Sequence, residues 1–532
     1  ASRAATMRAG AQLVQSGVGA RSLASAAAPK AAAAAPPHED IVAMRKAKVA
    51  EAAATKPKSS RPGARAEEME DAAAKIQGGK SAWQKFVSGV VDGVRPVTKA
   101  MAPIVMPILD APARRRVENA CNIEDLQKAA ELRAHAMVYG YLAGGADDER
   151  CLRRSVAAFS DVELRHAVLH GVGNNDLDLN TKILGQDSKM PYFITSCAGQ
   201  RMFHADGEVA TARAAKKHGL HMALSQLTTS TFEDVREAHP DGAKTLQLYV
   251  WRDRVLLKEV LDRAKEVGFT GLALTADFSW VGNRERETRT GFTVPPSYSM
   301  RQCIDAVKSP AWTYDYMSRV PYGYKAVPDA DFPAESLVDF IAAQMKPEFD
   351  WKDAEWLIQE WGDQGPVALK GVASGADAAR AVDTGFKSIW VSNHGGRQLE
   401  DSVATFDVLP EVRDAVGPDV EVILDGGVRR GLDIVKALAR GADSVAIGRA
   451  YLFGLAAGGE AGVDKALSIL SRDVYLAMGL LGCRTVAELK AKAPECMLVN
   501  ASSARRQCAV DRSRAGYTLQ PSLQGPPSGQ SA

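Results

Sequence analysis

The sequence predicts an α/β fold, a (β/α)8 TIM barrel behind an N-terminal extension, and three observations lead there. From about residue 117, short β-branched or apolar runs alternate with longer amphipathic stretches. The runs are 192–196, 221–225, 245–250, 271–277, 367–371, 388–393, 421–425 and 444–448. Helical spacing recurs between them, as in 207–218, 255–267, 376–384 and 431–440. Polar residues close the runs: Ser225, then Gln247 and Tyr249, Thr275 and Asp277, Lys370, His394, Asp425 and finally Gly448-Arg449. In a barrel of this kind function collects at the C-terminal strand ends, with phosphate after strands seven and eight. A doubly wound open sheet is the competing arrangement, but no G-x-G-x-x-G follows any of the runs.

The elements before the barrel differ in texture. Residues 1–37 are rich in Ala and Ser, carry Arg3, Arg8, Arg21 and Lys30, and hold no acid. That is the composition of an organelle transit peptide, with the mitochondrion the first destination and the chloroplast the alternative. Residues 38–116 form a charged, partly helical extension, in which 64–94 carries an imperfect apolar stripe through Met69, Ala73 and Ile76. Gly79-Lys80-Ser81 resembles the end of a phosphate loop, but Ala74 stands where that loop needs glycine, so a helix interruption is expected. The barrel domain is placed at 117–502 and a polar tail at 503–532.

Composition narrows the function classes. The chain has 532 residues, 46% hydrophobic and 24% charged, with a net charge of +2; nucleic acid is not an expected partner, because a phosphate-neutralising groove needs an excess of bases. The seven cysteines are scattered, without a C-x-x-C pair or zinc-finger spacing, so neither a disulfide framework nor a metal centre is expected. No run reaches the roughly 18 apolar residues of a membrane span. The nearest, 97–109, is cut by Pro103 and Pro107; peripheral contact with a membrane is compatible with it.

The loop 392–398, Ser-Asn-His-Gly-Gly-Arg-Gln, carries the chemistry. It leaves an apolar run, so His394 is held at the lip of the barrel while two glycines let the backbone approach a ligand. Arg397 offers a planar fork to a carboxylate. A base beside a carboxylate clamp suits reaction at the α-carbon of a small acid.

Taken with Tyr139-Gly140-Tyr141, Gln247-Leu248-Tyr249, Thr275-Ala276-Asp277, Leu369-Lys370-Gly371, 425–431 and Ile447-Gly448-Arg449, this loop makes residues 121–489 resemble the FMN-dependent α-hydroxy acid oxidase and dehydrogenase family. The stretches 300–312 and 351–356 are most similar to respiratory L-lactate dehydrogenases. The resemblance implies His394 as base, Asp277 as its partner, and Arg284, Arg397 and Tyr141 on the substrate carboxylate. It places Tyr249 on the substrate hydroxyl or the developing charge. Lys370 lies at the N1/O2 edge of FMN, Ser225, Gln247 and Thr275 on its ring, and Asp425, Gly427, Arg429, Gly448 and Arg449 at its phosphate end. A carboxylate beside imidazole is expected to raise the His394 pKa.

The sequence also departs from the family's pattern, at Thr195-Ser196-Cys197-Ala198-Gly199 after the first strand, at Ser279 and at Asn283. Leu227 stands where plant glycolate oxidases carry tryptophan, which leaves room for a methyl group. The implied reaction is oxidation of an L-2-hydroxy acid, L-lactate to pyruvate first, with electrons passed to a cytochrome or quinone. An oxidase that reduces oxygen to hydrogen peroxide is the near alternative, and a non-catalytic barrel subunit the distant one. The family implies a homo-oligomer, most simply a tetramer.

Overall fold

The computed structural model describes residues 82–242, 244–293, 299–319, 323, 325, 326 and 344–499. The expected transit peptide, the stretch 64–81 with Gly79-Lys80-Ser81, and the tail 503–532 lie outside the described residues. Every described element belongs to one unit, Lys80–Ala532.

Eight parallel strands form the centre: β1 (Tyr192–Ile194), β2 (Ala223–Ser225), β3 (Thr245–Leu248), β4 (Gly271–Thr275), β5 (Val367–Val372), β6 (Ser388–Val391), β7 (Glu421–Leu424) and β8 (Ser444–Ile447). Each pairs in parallel with its sequence neighbour from β2 to β8, and β8 pairs with β1. A parallel bridge from Ile194 to Met222, just before β2, closes the ring. The predicted (β/α)8 barrel is therefore present, and each strand falls within or beside its predicted run.

Strand alternation explains how the barrel is filled. Phe193, Ala223, Ala273, Ala368, Trp390, Ile423 and Ala446 form one buried cluster with Ile183 and Leu184. Alanines face the large rings, and Phe193 meets Trp390 edge-on at 5.1 Å. Two residues further along the same strands, the same face carries Thr195, Ser225, Thr275, Lys370, Ser392, Asp425 and Gly448. The apolar layer thus becomes a floor, and the polar layer above it opens at the C-terminal end.

One irregularity aims a functional side chain. The β5–β6 register shifts between Lys370 and Val372, leaving Gly371 as a bulge. Gly371 has φ +103°, and a Cβ there would lie 2.7 Å from the Asp277 side chain. Only glycine lets these two strand ends approach so closely.

Helices surround the barrel, including Gly207–His218, Arg254–Val267, Gly375–Thr384 and Gly431–Ala439 at the predicted places. The helix Ala82–Leu109 packs against Pro310–Ser318 and stays in the barrel's unit. It runs through Pro96, Pro103 and Pro107 without a break. Among the described residues no single helix is long and apolar enough to cross a membrane, and no cluster of His, Cys, Asp and Glu could hold a metal.

Candidate active site

A cleft open at its mouth sits on the polar layer. Ser225, Gln247 and Thr275 cross its floor as a relay: Ser225 Oγ lies 2.9 Å from Gln247 Oε1, and Gln247 Nε2 donates to Thr275 Oγ1 at 2.9 Å. Register pairs Ser225 with Gln247, while Gln247 pairs with Ala273 and its side chain reaches two residues along β4 to Thr275. Beside Thr275 in register stands Lys370. Its Nζ donates to Ser392 Oγ at 2.9 Å and lies 3.4 Å from Asp425 Oδ2. Trp390 Nε1 donates to the same carboxylate oxygen at 2.9 Å. Burial disfavours the ammonium, but Asp425 and Asp277 outweigh it and raise the Lys370 pKa, so a fixed positive charge is held under the cleft.

His394 stands at the lip with φ +54°, a left-handed backbone that few side chains other than glycine adopt. Its Nδ1 lies 2.9 Å from Asp277 Oδ1. Burial opposes charge on Asp277, yet His394 and Lys370 together hold its pKa below the ordinary value. The His394 pKa moves opposite to expectation. Burial pushes it below 6.5, and Lys370 and Arg284 add to that, so the upward pull of Asp277 is outweighed. An ionised carboxylate only accepts hydrogen bonds; Nδ1 therefore carries the proton and Nε2 keeps its lone pair.

Arg284 and Arg397 both line the cleft, on either side of Glu287. Arg397 NH2 lies 2.9 Å from Glu287 Oε1 and Arg284 NH1 3.8 Å from the same atom. Arg397 also donates to the Tyr141 carbonyl at 2.7 Å, with its guanidinium 4.5 Å from the Tyr141 ring centroid. Two guanidinium groups and one carboxylate leave one net positive charge, the complement of a monocarboxylate. Glu287 was missed in the sequence because it sat in a run of alternating charges; its position three residues after Arg284, one helical turn on, was the available signal.

Phe278 was missed as well, although it follows Asp277 directly. Its ring stacks on His394 at 5.2 Å, meets Tyr249 at 5.1 Å, and lies 5.7 Å beneath the Arg284 guanidinium. Burial and Asp277 push the Tyr249 phenol well above its ordinary pKa, so it stays a donor. Leu227 lines the same wall. Asn283 instead turns away and donates to Asp147 Oδ1 at 2.6 Å.

At the far end the Asp425–Gly431 turn needs Gly427: φ is +79°, and a Cβ would lie 2.0 Å from the Ser155 carbonyl. Arg429, Gly448 and Arg449 border this end. Burial pushes Arg449 down to about 9, with Arg397 and Arg429 adding repulsion, and Arg429 down to about 10. Arg449 donates to the carbonyls of Leu142, Gly395 and Gly144, and Arg429 to that of Val428. Among the described residues neither forms an ion pair with a carboxylate. Two desolvated guanidinium groups without a counter-charge fit the phosphate of a nucleotide. Thr195 Oγ1, buried on the cleft wall with no partner among the described residues, fits the heteroatom edge of a ring.

Residues 130–495 match the FMN-dependent dehydrogenase family. The chain belongs to that family. FMN is its cofactor, and the groove from the Ser225–Gln247–Thr275 relay to Arg429 and Arg449 fits it. The chain is 39% identical over 377 residues to an L-lactate oxidase of Nostoc sp., covering 70% of this chain and 97% of that protein. It is 39% identical over 365 residues to 2-hydroxyacid oxidase 1 of Homo sapiens, covering 68% and 93%. Among solved structures, it resembles a monotopic membrane protein, (S)-mandelate dehydrogenase, with TM-score 0.67 and 33% identity, covering 72% of this chain and all of that one. The protein is an FMN-dependent enzyme that oxidises 2-hydroxy acids.

Proposed function

We propose that the substrate is L-lactate, oxidised to pyruvate, and that the electrons pass to a respiratory acceptor. The observation that carries the reading is the His394–Asp277 pair at 2.9 Å beside the Arg284–Glu287–Arg397 cluster. The cluster's one net charge binds the substrate carboxylate, and Tyr141 and Tyr249 donate to the carboxylate and the hydroxyl. Nε2 of neutral His394 takes the proton released in oxidation, and Asp277 stabilises the imidazolium that results. Phe278 covers the imidazole face and keeps water from it.

FMN, when bound, accepts the two electrons. Ser225, Gln247 and Thr275 would hold its ring, and Lys370, kept charged by Asp425, would favour the negative charge of reduction. Arg429 and Arg449 would hold its phosphate with the turn at Gly427 and Gly448.

Leu227 and Phe278 line the cleft, and Leu227, smaller than the tryptophan of plant glycolate oxidases, leaves room for a methyl group, which supports lactate over glycolate. Residues 1–37, basic and without acids, support a mitochondrial address. Fusing them to a fluorescent protein tests it, and a plastid or cytoplasmic signal overturns it. Assembly as a homotetramer is part of the same proposal and is checked by light scattering of the holoenzyme.

The deciding experiment is anaerobic reduction of the bound flavin by glycolate, lactate, longer 2-hydroxy acids and mandelate, followed by reoxidation with oxygen or a quinone. Lactate should reduce it with the highest kcat/KM, and quinone should reoxidise it faster than oxygen. Stoichiometric hydrogen peroxide from aerobic turnover assigns the protein as an oxidase instead.

A further inference from the structure

The helix Ala82–Leu109 buries one face and leaves another bare. Its inner side is fixed to the Pro310–Ser318 helix: Tyr314 Oη donates to the Thr98 carbonyl at 3.1 Å, and Thr98 Oγ1 donates to the Met317 carbonyl at 3.1 Å. Beside that face Trp83, Phe86, Val90, Val97, Met101, Ile104 and Ile108 recur at spacings of three, four or seven. Each is between 41% (Trp83) and 71% (Ile108) exposed. Single exposed apolar residues are ordinary, but a stripe along seven turns of helix marks an interaction surface. It lies before residues 130–495, so the family match does not account for it.

We infer that this stripe docks the enzyme on an anionic lipid surface, with the helix lying in the plane of the interface. Charge and chemistry favour lipid. Between Ala82 and Asn119 six bases stand against three acids. Two of the acids are taken up, Asp92 by Arg95 at 2.9 Å and Asp110 by Arg133 at 2.7 Å. Lys85, Lys99, Arg114, Arg115 and Arg116 are exposed, and Arg115 falls seven residues past Ile108, in phase with the stripe. Apolar side chains with aromatics at one end and bases at the other are what an interfacial helix presents to acyl chains and anionic headgroups.

A second copy of the chain is the rival occupant. The residues beside the stripe include Gly89, Gly93, Pro96, Pro103 and Pro107 rather than the charged flanks that fix register between paired helices. At 28 residues the helix is long enough for a bilayer, but among the described residues no helix is apolar enough to cross one, which favours lying in the interface over spanning it.

Flotation of the full-length holoenzyme with vesicles tests the inference. One set is phosphatidylcholine alone, and the other is phosphatidylcholine mixed with phosphatidylglycerol. The protein should float with the mixed vesicles and much less with the neutral ones. A Val97→Ser/Ile104→Ser/Ile108→Ser variant should keep its FMN and its hydroxy acid oxidation yet bind the mixed vesicles about tenfold more weakly or worse. Should that variant lose FMN, Trp83→Ser/Phe86→Ser at the opposite end must give the same loss. Wild-type protein that stays at the bottom of the gradient overturns the inference, as do stripe variants that float like wild type. Stripe variants that change the oligomer mass but not flotation overturn it too, and give the stripe to a second copy.

Discussion

His394 Nδ1 lies 2.9 Å from Asp277 Oδ1, although the two residues are 117 positions apart in the chain. The contact exists because β4 and β6 flank β5, whose bulge at Gly371 draws the strand ends together. It fixes the tautomer that leaves Nε2 free, and the acid limb of activity follows from it. The neutral base persists as pH falls until its lowered pKa is reached. kcat/KM should therefore hold through neutral pH and fall only below 6.5. Asp277→Asn removes the one group that raises this pKa while Lys370 and Arg284 still depress it. The limb should move further toward acid, and kcat should fall about a hundredfold or more. A wild-type limb centred above neutrality would contradict the burial argument.

Lys370→Met should make the flavin harder to reduce. Removing the ammonium leaves the Asp425 carboxylate with Trp390 as its one side-chain donor among the described residues. The reduction potential of bound FMN should fall by tens of millivolts, on the order of 30 mV for each tenfold change in a two-electron equilibrium. Dye equilibration measures it; an unchanged potential would remove Lys370 from the flavin's electrostatics.

Arg429→Ala separates binding from folding. A charge-assisted contact to phosphate contributes about 1.5–3 kcal/mol, so FMN affinity should drop roughly ten- to a hundredfold. The apoprotein should lose no stability, because the deleted guanidinium was buried at a cost shown by its fall to about 10. Flavin fluorescence titration and apoprotein melting give the two numbers. A variant less stable as apoprotein but normal in FMN affinity would make Arg429 structural.

Phe278→Ala should widen the substrate range. Opening the wall over His394, Tyr249 and Arg284 should raise the kcat/KM ratio of mandelate to lactate about tenfold. Readmitted water should move the acid limb up toward 6.5, since burial is the main cause of its depression. A ratio and limb like those of wild type would leave Phe278 as packing alone.

The barrel was legible because alternation is local. Ala223 to Ser225, Ala273 to Thr275, Ala368 to Lys370 and Ile423 to Asp425 each step from apolar floor to polar layer in two residues, and such pairs can be read from a single strand. The glycine-rich turns at 392–398 and 425–431 were visible for the same reason. What stayed hidden depends on partners from distant chain. Glu287 looked like surface charge until Arg397 was seen beside it. Phe278 looked like a neighbour of Asp277 until its ring was found on His394. The His394 pKa direction was misjudged because one carboxylate was in view while burial, Lys370 and Arg284 were not. Asn283, one of the departures from the family's pattern, binds Asp147, an arrangement that no local pattern indicates.

Rapid mixing of anaerobic holoenzyme with L-lactate, monitored at the flavin absorbance, tests the central assignment of His394 most directly. His394→Gln should retain FMN and bind the substrate anion, while flavin bleaching slows about a hundredfold or more. Bleaching at near the wild-type rate in that variant would contradict the account.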